Sequence, residues 1–231
     1  MDLTVTPCMR MDCMVQPRAA QRPVLIVFDL DGTLTDSAQL GRVLFKRVFA
    51  LMGMGEISDE LADSFNGPSA DEVCRVMGVG ADRRALYNQL IDEVEVDLVR
   101  TIGRIYPGVI EMLETLNRHA VLAILTNGAP CYCEECIHFY GFRPYITLSS
   151  GFASGVTKAE RIALWEKEVC ARRVIVVGDR ATDVSNARAA GAFAIGVTYG
   201  MGSREELQGA DVLCETAADV TQACLRVIGQ V

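Results

Sequence analysis

Two pairs of aspartates follow runs of apolar residues and could act together. Asp29 and Asp31 come directly after the apolar run 24–28. Carboxylates two residues apart on an extended backbone point to the same side, so their charges repel. Asp179 and Asp183 follow another apolar run and are four residues apart, a spacing that can face one ion if a helix begins there. Clustered carboxylate oxygens are the ligands that Mg²⁺ prefers. The sequence therefore predicts a Mg²⁺ site formed by these four aspartates.

Lys158 and Thr126 are candidates for the same site. Thr126 follows the apolar run 121–125 and adds a hydroxyl group to the aspartates. A site of this kind also needs a positive group for a substrate phosphoryl, and Lys158 lies at the start of a predicted helix. A solvated lysine is the alternative interpretation. The positive end of the helix dipole disfavours a cation there, which favours a functional lysine.

The order of predicted elements indicates the fold that would bring these residues together. Short apolar strands alternate with helices, the pattern of a parallel sheet covered on both faces. The ligand site of such a sheet lies beyond the carboxyl ends of its strands, where all these residues stand. We predict an α/β fold with a Rossmann-like parallel sheet and an inserted α-helical cap. The predicted strands are 24–28, 121–125, 145–148, 174–177 and 193–197.

Three regions are predicted along the chain. Residues 1–22 form a flexible N-terminal tail. Residues 23–36 and 105–231 form the α/β core domain, and residues 37–104 form the helical cap domain, because apolar residues there recur at helical spacing without a strand pattern. Within the cap, Ser69 is predicted to cap a short helix that runs to Met77.

These motifs resemble the four signature motifs of the haloacid dehalogenase superfamily of phosphohydrolases, in order and in spacing. The matching segments are Asp29-Leu30-Asp31-Gly32-Thr33-Leu34, Thr126-Asn127, Lys158 and Gly178-Asp179 with Asp183. The helical insertion also stands where that superfamily keeps its cap. Asn66-Gly67-Pro68-Ser69 and Tyr106-Pro107-Gly108-Val109 are similar to segments of phosphoglycolate phosphatase-like members.

The resemblance implies a role for each residue after the first strand. Asp29 is expected to be the nucleophile that forms an aspartyl phosphate. Asp31 is expected to protonate the leaving oxygen and then activate water, and its main-chain carbonyl is expected to bind Mg²⁺. Dehalogenases of the superfamily lack an acid at this position, so Asp31 indicates hydrolysis of a phosphate ester.

The remaining motifs are implied to bind the substrate and the metal. Thr126, the backbone at Asn127, and Lys158 are expected to hold the phosphoryl oxygens. Asp179 is expected to bind Mg²⁺ directly, and Asp183 to support it directly or through water. The expected reaction is Mg²⁺-dependent hydrolysis of a small phosphomonoester, either phosphoglycolate-like or a nucleotide monophosphate. A sugar phosphomutase of the same superfamily and a phospho-accepting signalling module are the alternatives.

Composition limits the partners and the location. The net charge of -8 argues against a nucleic acid duplex, and no apolar run reaches the roughly 20 residues that span a membrane. Nine cysteines without an even framework favour reduced thiols and a cytoplasmic location. The spacing of Cys131, Cys133 and Cys136 indicates buried or half-buried thiols rather than a zinc site. A small phosphorylated metabolite is the expected partner, and a homodimer formed through the cap is possible.

Overall fold

The computed structural model describes residues 23–151 and 156–230. The predicted N-terminal tail, residues 1–22, lies outside the described residues. Six strands and nine α-helices are described in these two ranges. In chain order they are β1 (Val24–Phe28), α1 (Ala38–Leu51), α2 (Asp59–Asp63), α3 (Ala70–Met77), α4 (Arg84–Thr101), α5 (Val109–Asn117), β2 (Val121–Leu125), α6 (Pro130–Phe139), β3 (Leu148–Ser150), α7 (Lys158–Glu168), β4 (Arg173–Gly178), α8 (Ala181–Ala189), β5 (Phe193–Val197), β6 (Val212–Cys214) and α9 (Ala217–Gly229).

The strands form one parallel sheet in the order β3-β2-β1-β4-β5-β6. β1 lies at the centre of the sheet between β2 and β4, and its residue Phe28 is paired with Ile124 on one side and Val177 on the other. The three central strands therefore end at the same level. This register places the residues that follow each strand side by side at one edge of the sheet.

Apolar side chains cover both faces of the sheet. Along β1, Ile26 and Phe28 belong to one buried cluster, which includes side chains from α5, α6 and α9. The alternate residues Leu25 and Val27 belong to a second cluster, which includes side chains from α7 and α8. Because successive side chains of a strand point to opposite faces, a strand buried throughout needs helices on both sides. The predicted Rossmann-like α/β fold is confirmed.

The helical insertion between β1 and α5 packs around aromatic residues. Phe45 of α1 contacts Phe65 at 5.3 Å between ring centroids, and Phe49 stacks on Tyr87 of α4 at 6.0 Å. Ser69 caps α3 as predicted, because its hydroxyl accepts a hydrogen bond from the amide of Glu72 at 3.3 Å. The helical content of the cap is thus observed, while its bounds as a separate domain stay a prediction.

The third strand differs from its prediction. The apolar stretch 145–148 was expected to be a strand, whereas β3 runs from Leu148 to Ser150. The carbonyl of Phe142 accepts hydrogen bonds from the amides of Tyr145 and Ile146, so the chain turns there. Ile146 is buried in the core through this turn and not through a strand.

None of the described helices is long and apolar enough to cross a membrane.

Candidate active site

Three strands bring the predicted site residues to one edge of the sheet. Asp29 follows β1, Thr126 follows β2 and Asp179 follows β4, and these strands are neighbours. Lys158 is the first residue of α7, whose start is fixed by Thr157 and Glu160. Each caps the other: the Thr157 hydroxyl accepts from the Glu160 amide at 3.2 Å, and a Glu160 carboxylate oxygen accepts from the Thr157 amide at 2.8 Å.

The carboxylates of Asp29, Asp179 and Asp183 converge. One oxygen from each lies within 4.8 Å of the others, and within the described ranges no other group of three or more such side chains could hold a metal ion. Asp183 is the third residue of α8, and its Oδ2 accepts from the amide of Arg180 at 3.2 Å. Asp179 precedes the helix, so the chain turns at Arg180 to bring the pair together. The sequence predicted that Asp179 and Asp183 would lie close together. They do, although Asp179 lies before α8 and the two residues are not one turn apart on the same helix.

Asp179 is enclosed by backbone. Its Oδ2 accepts from the amide of Met201 at 2.7 Å, and the Thr33 hydroxyl lies 3.4 Å from Oδ1. A side chain at Gly32 or Gly200 would collide with this carboxylate, and Gly32 has a φ of +76°. Burial raises the pKa of Asp179 to about 6 despite the Met201 amide. A buried carboxylate whose pKa stays raised although it accepts these hydrogen bonds fits a cation ligand.

Lys158 is the positive group among the acids. Its Nζ donates to Oδ1 of Asp29 at 2.6 Å and to Oδ1 of Asp183 at 3.2 Å. Burial alone would lower the pKa of Lys158, but the two carboxylates outweigh it and the pKa lies above its usual value. Burial raises the pKa of Asp29 well above its usual value, and repulsion by Asp183 and Asp179 adds to this against the attraction of Lys158. One ammonium among three carboxylates leaves an excess of negative charge, which fits a divalent cation.

Asp31 points away from this acidic group. Its Oδ1 accepts from the hydroxyl of Tyr132 at 2.6 Å, and its Oδ2 accepts from the hydroxyl of Thr126 at 3.2 Å. The Asp31 carboxylate is not part of the convergent group. This leaves its main-chain carbonyl as the group the resemblance assigns to the metal, and that assignment stays a prediction.

Tyr132 was not identified from the sequence. It lies on α6 between Cys131 and Cys133, and it is buried with its hydroxyl on Asp31. A tyrosine two residues after Pro130, at the first turn of a helix that follows the Thr126 motif, was the available signal. The sequence-based prediction for this segment used the spacing of its cysteines and not the tyrosine between them.

Thr126 is buried, whereas Asn127 is exposed. The Thr126 hydroxyl accepts from the amide of Gly128 at 3.0 Å and donates to Asp31, so it is already engaged. Asn127 is exposed and lines a small space beside Lys158 as well as a larger cavity. The assignment of both residues to a phosphoryl group stays a prediction.

The larger cavity lies between the helical insertion and the edge of the sheet. Its volume is about 380 Å³, and Asp31 is one of the residues that line it. Glu95 of α4 lines it and is buried with its Oε2 unpartnered among the described residues. Burial raises the pKa of Glu95 well above its usual value, and the charges of Asp31 and Asp92 add to this. The cavity is also lined by Leu44, Phe45, Phe65, Asp71, Arg84, Tyr87 and Ile91.

The prediction of buried or half-buried thiols holds for two of the three cysteines of α6. Cys133 and Cys136 are buried and Cys131 is exposed, all as free thiols. Burial raises the pKa of Cys133 to about 12, which disfavours the thiolate that zinc would need.

The sequence matches a known family over most of its length. The model of the haloacid dehalogenase-like hydrolases matches residues 26–197. The chain belongs to this family. The match spans every predicted site residue and confirms the resemblance. At 21% identity, a solved structure described as a predicted phosphatase from Clostridium acetobutylicum has a TM-score of 0.77 and covers 88% of this chain and 99% of that one. That likeness confirms the fold.

Three relatives indicate what proteins of this kind do. A phosphoglycolate phosphatase of Vibrio parahaemolyticus is 28% identical over 219 residues, 88% of this chain and 95% of the relative. A 5'-nucleotidase of Pseudomonas aeruginosa is 29% identical over 200 residues, 82% of this chain and 89% of the relative. The tyrosine-protein kinase PtkA of Mycobacterium bovis is 27% identical over 191 residues, 79% of this chain but 64% of the kinase. The family and the two phosphatases confirm a phosphoric monoester hydrolase of the phosphoglycolate phosphatase-like kind.

Proposed function

We propose that the chain is a Mg²⁺-dependent phosphatase that hydrolyses a small phosphomonoester through an aspartyl phosphate on Asp29. One observation carries the proposal: Asp29 lies 2.6 Å from the Lys158 ammonium and within 4.8 Å of the Asp179 and Asp183 carboxylates. A nucleophile therefore stands beside a cation and a set of metal-binding oxygens. This is the arrangement that phosphoryl transfer requires.

The first step transfers the phosphoryl group to Asp29. A carboxylate oxygen of Asp29 attacks phosphorus, and the bond from phosphorus to the alcohol oxygen breaks. Asp31 donates a proton to that oxygen, so the alcohol leaves neutral. Tyr132 and Thr126 hold the Asp31 carboxyl group in the lining of the cavity, where the leaving oxygen would lie.

The second step returns Asp29 to its starting state. Asp31, now ionised, takes a proton from water, and the water oxygen attacks phosphorus of the aspartyl phosphate. The bond from phosphorus to the Asp29 oxygen breaks, which releases phosphate and the free carboxylate. One group thus acts as acid and then as base, which divides one difficult displacement into two easier ones.

Charge on the transferred group requires positive partners. Asp29, Asp179 and Asp183, with the main-chain carbonyl of Asp31, would hold Mg²⁺, which neutralises charge on phosphoryl oxygens when it is bound. Lys158 would move from its contact with Asp29 to the phosphoryl oxygens, and the backbone amide of the exposed residue Asn127 would donate to them.

The proposal is tested by phosphate release with Mg²⁺ or EDTA for the wild type, Asp29→Asn and Asp36→Asn. Asp36 is exposed and lies in the same segment, so it is a matched control. We expect release that needs Mg²⁺ and Asp29 and that is retained in the Asp36 variant. Full release by Asp29→Asn would contradict the proposal.

The alternatives give different outcomes in the same assay. A phospho-accepting signalling module or a kinase would accumulate phosphoprotein, or consume a nucleoside triphosphate, without sustained phosphate release. A phosphomutase would convert one sugar phosphate to its isomer with little free phosphate. Steady release from several phosphomonoesters would exclude all three.

Phosphoglycolate-like esters and nucleotide monophosphates are the two substrate classes that the relatives support, so both belong in the panel of esters that tests the proposal. A cytoplasmic location is proposed because the seven described cysteines are free thiols.

A further inference from the structure

We infer that the alcohol part of the substrate carries a protonated amine that binds Glu95. We also infer that the substrate carries no anionic group besides its phosphate. This inference rests on the proposed phosphatase function and assigns the part of the substrate that the cavity would receive. Such a preference would distinguish this chain from an enzyme that acts on phosphoglycolate, because the alcohol part of phosphoglycolate carries a carboxylate group.

The unpartnered carboxylate oxygen of Glu95 indicates that the cavity binds a ligand. Glu95 lines the cavity with 9% of its surface exposed, and its Oε2 has no hydrogen-bond partner within 23–151 and 156–230. A buried carboxylate oxygen without a partner is costly, and native proteins seldom leave one unless a ligand or water completes it. An ammonium group would supply both the missing hydrogen bond and the opposite charge.

The charged side chains that line the cavity with Glu95 are mostly acidic. Asp31, Asp71 and Asp92 also line the cavity, and among its described lining residues Arg84 is the one lysine or arginine. Arg84 is already paired with Asp71 in an ion pair. The cavity thus presents acids to whatever enters it, with its one cation engaged.

An anionic alcohol part would be poorly accommodated. A carboxylate on the alcohol part would lie among the acids that line the cavity, and it would have to displace Asp71 from Arg84 to find a partner. Like charges brought together in a confined site repel, whereas a cation is attracted by the same field. Electrostatics alone therefore discriminates between an amine and a carboxylate of equal size.

Apolar side chains form much of the remaining wall, beside the polar Ser37, Asn66, Asn88 and Asn127, and they favour a hydrocarbon spacer. Leu44, Phe45, Phe65, Tyr87 and Ile91 line the cavity with carbon surface. A chain of methylene groups between the phosphate and the amine would bury apolar area against them. The cavity of about 380 Å³ leaves room for more than a two-carbon alcohol.

The test compares esters that differ in one terminal group. Aminoalkyl, carboxyalkyl and plain alkyl phosphates with two to six methylene groups are assayed for kcat/KM, and p-nitrophenyl phosphate serves as a reference for the chemistry. At the best chain length we expect the amine to exceed the carboxylate by about 10- to 100-fold, the range of one charge-assisted hydrogen bond.

Two variants of Glu95 assign the preference. Glu95→Gln should reduce the amine-to-alkyl ratio of kcat/KM by about ten-fold, since it keeps the shape and removes the charge. Glu95→Asp should move the preferred chain length up by about one methylene group, because its carboxylate is one methylene shorter. Glu93→Gln, an exposed position on the same helix, is the control and should leave the ratio unchanged. Thermal melts show that each variant is folded.

Four possible results separate the inference about the amine from the proposed phosphatase function. Hydrolysis of p-nitrophenyl phosphate with carboxyalkyl esters equal to or better than amines overturns the inference and leaves the phosphatase intact. An amine preference that Glu95→Gln retains also overturns it. No release from any ester overturns the proposed function and this inference with it. An amine preference lost in Glu95→Gln and kept in Glu93→Gln supports both.

Discussion

The hydroxyl of Tyr132 lies 2.6 Å from Oδ1 of Asp31 and faces the carboxyl group that the proposed mechanism uses as acid and base. Tyr132 is buried, so its hydroxyl has little freedom to move. Together with Thr126 on Oδ2 at 3.2 Å, it fixes the orientation of the Asp31 carboxyl group from both oxygens. Tyr132 is therefore a positioning residue.

Tyr132→Phe should lower kcat for alkyl phosphates by about ten-fold with little change in KM, since one hydrogen bond of about 1.4 kcal/mol orients the acid. The loss should be smaller for p-nitrophenyl phosphate, because its leaving group needs no proton. Steady-state kinetics with both esters measures this dependence. Tyr145→Phe, a tyrosine outside the site, is the control. An equal loss on both esters would mean that Tyr132 has a merely structural role.

Lys158→Gln should abolish most activity and also destabilise the protein without metal. It removes the ammonium between Asp29 and Asp183 and leaves their carboxylates unpaired at 11% and 5% side-chain exposure. Breaking a buried pair in this way costs about 3 kcal/mol of unfolding free energy. Urea unfolding and phosphate release measure the two effects.

Lys167→Gln is the matched control because Lys167 lies on the same helix, α7, away from the acids. It should keep both activity and stability. MgCl₂ should recover part of the stability of Lys158→Gln, since a cation replaces a cation. A Lys158→Gln protein as active as the Lys167 variant would contradict the assigned role.

The sequence predicted the sheet edge more completely than it predicted the cavity. The aspartates, Thr126 and Lys158 follow strands or begin a helix, and the parallel topology alone brings such positions together. Tyr132 and Glu95 lie inside helices at ordinary core positions. Glu95 reaches the cavity because the insertion packs against the core, and no motif encodes that packing. Tyr132 lies in the first turn of α6, and its place after the Thr126 motif was its only signal in the sequence. The turn at Phe142 was missed for a similar reason, because 145–148 has the composition of a buried strand.

Mg²⁺ should stabilise the folded protein more at pH 7.5 than at pH 5.5. Burial raises the pKa of Asp179 to about 6 from 3.8, so without metal the folded state holds an extra proton between these values. For this group, stability without metal falls as the pH rises through that window. Mg²⁺ binds the ionised carboxylate, so its affinity rises over the same window.

Thermal melts with and without MgCl₂ at the two pH values measure this linkage. The Mg²⁺-induced rise in Tm should be larger at pH 7.5 and should be absent in Asp179→Asn. The control is Asp36→Asn, which should respond like the wild type because Asp36 is exposed and outside the acidic group. A rise in Tm that is equal at both pH values would show that Asp179 does not take up the proton.

Glu95→Gln should make the free protein more stable at neutral pH. Burial, with the charges of Asp31 and Asp92, raises the pKa of Glu95 above 4.5, and Oε2 has no described partner. Below about pH 4.5 the acid is neutral in both the folded and the unfolded state, so its charge costs nothing. Above that pH the unfolded state ionises more readily than the folded one, and the wild type loses stability that the neutral glutamine keeps.

The expected gain is about 1 to 3 kcal/mol of unfolding free energy at pH 8, the cost of a buried polar group without a partner, and it should shrink towards pH 4.5. Urea unfolding at pH 5 and pH 8 measures it, with Glu93→Gln on the exposed side of α4 as the control. A Glu95→Gln protein less stable than the wild type at pH 8 would mean that the Glu95 carboxylate is satisfied in the free protein. If the gain is observed, α4 holds a residue that weakens the fold, and a bound ammonium group is the chemistry that would offset that cost.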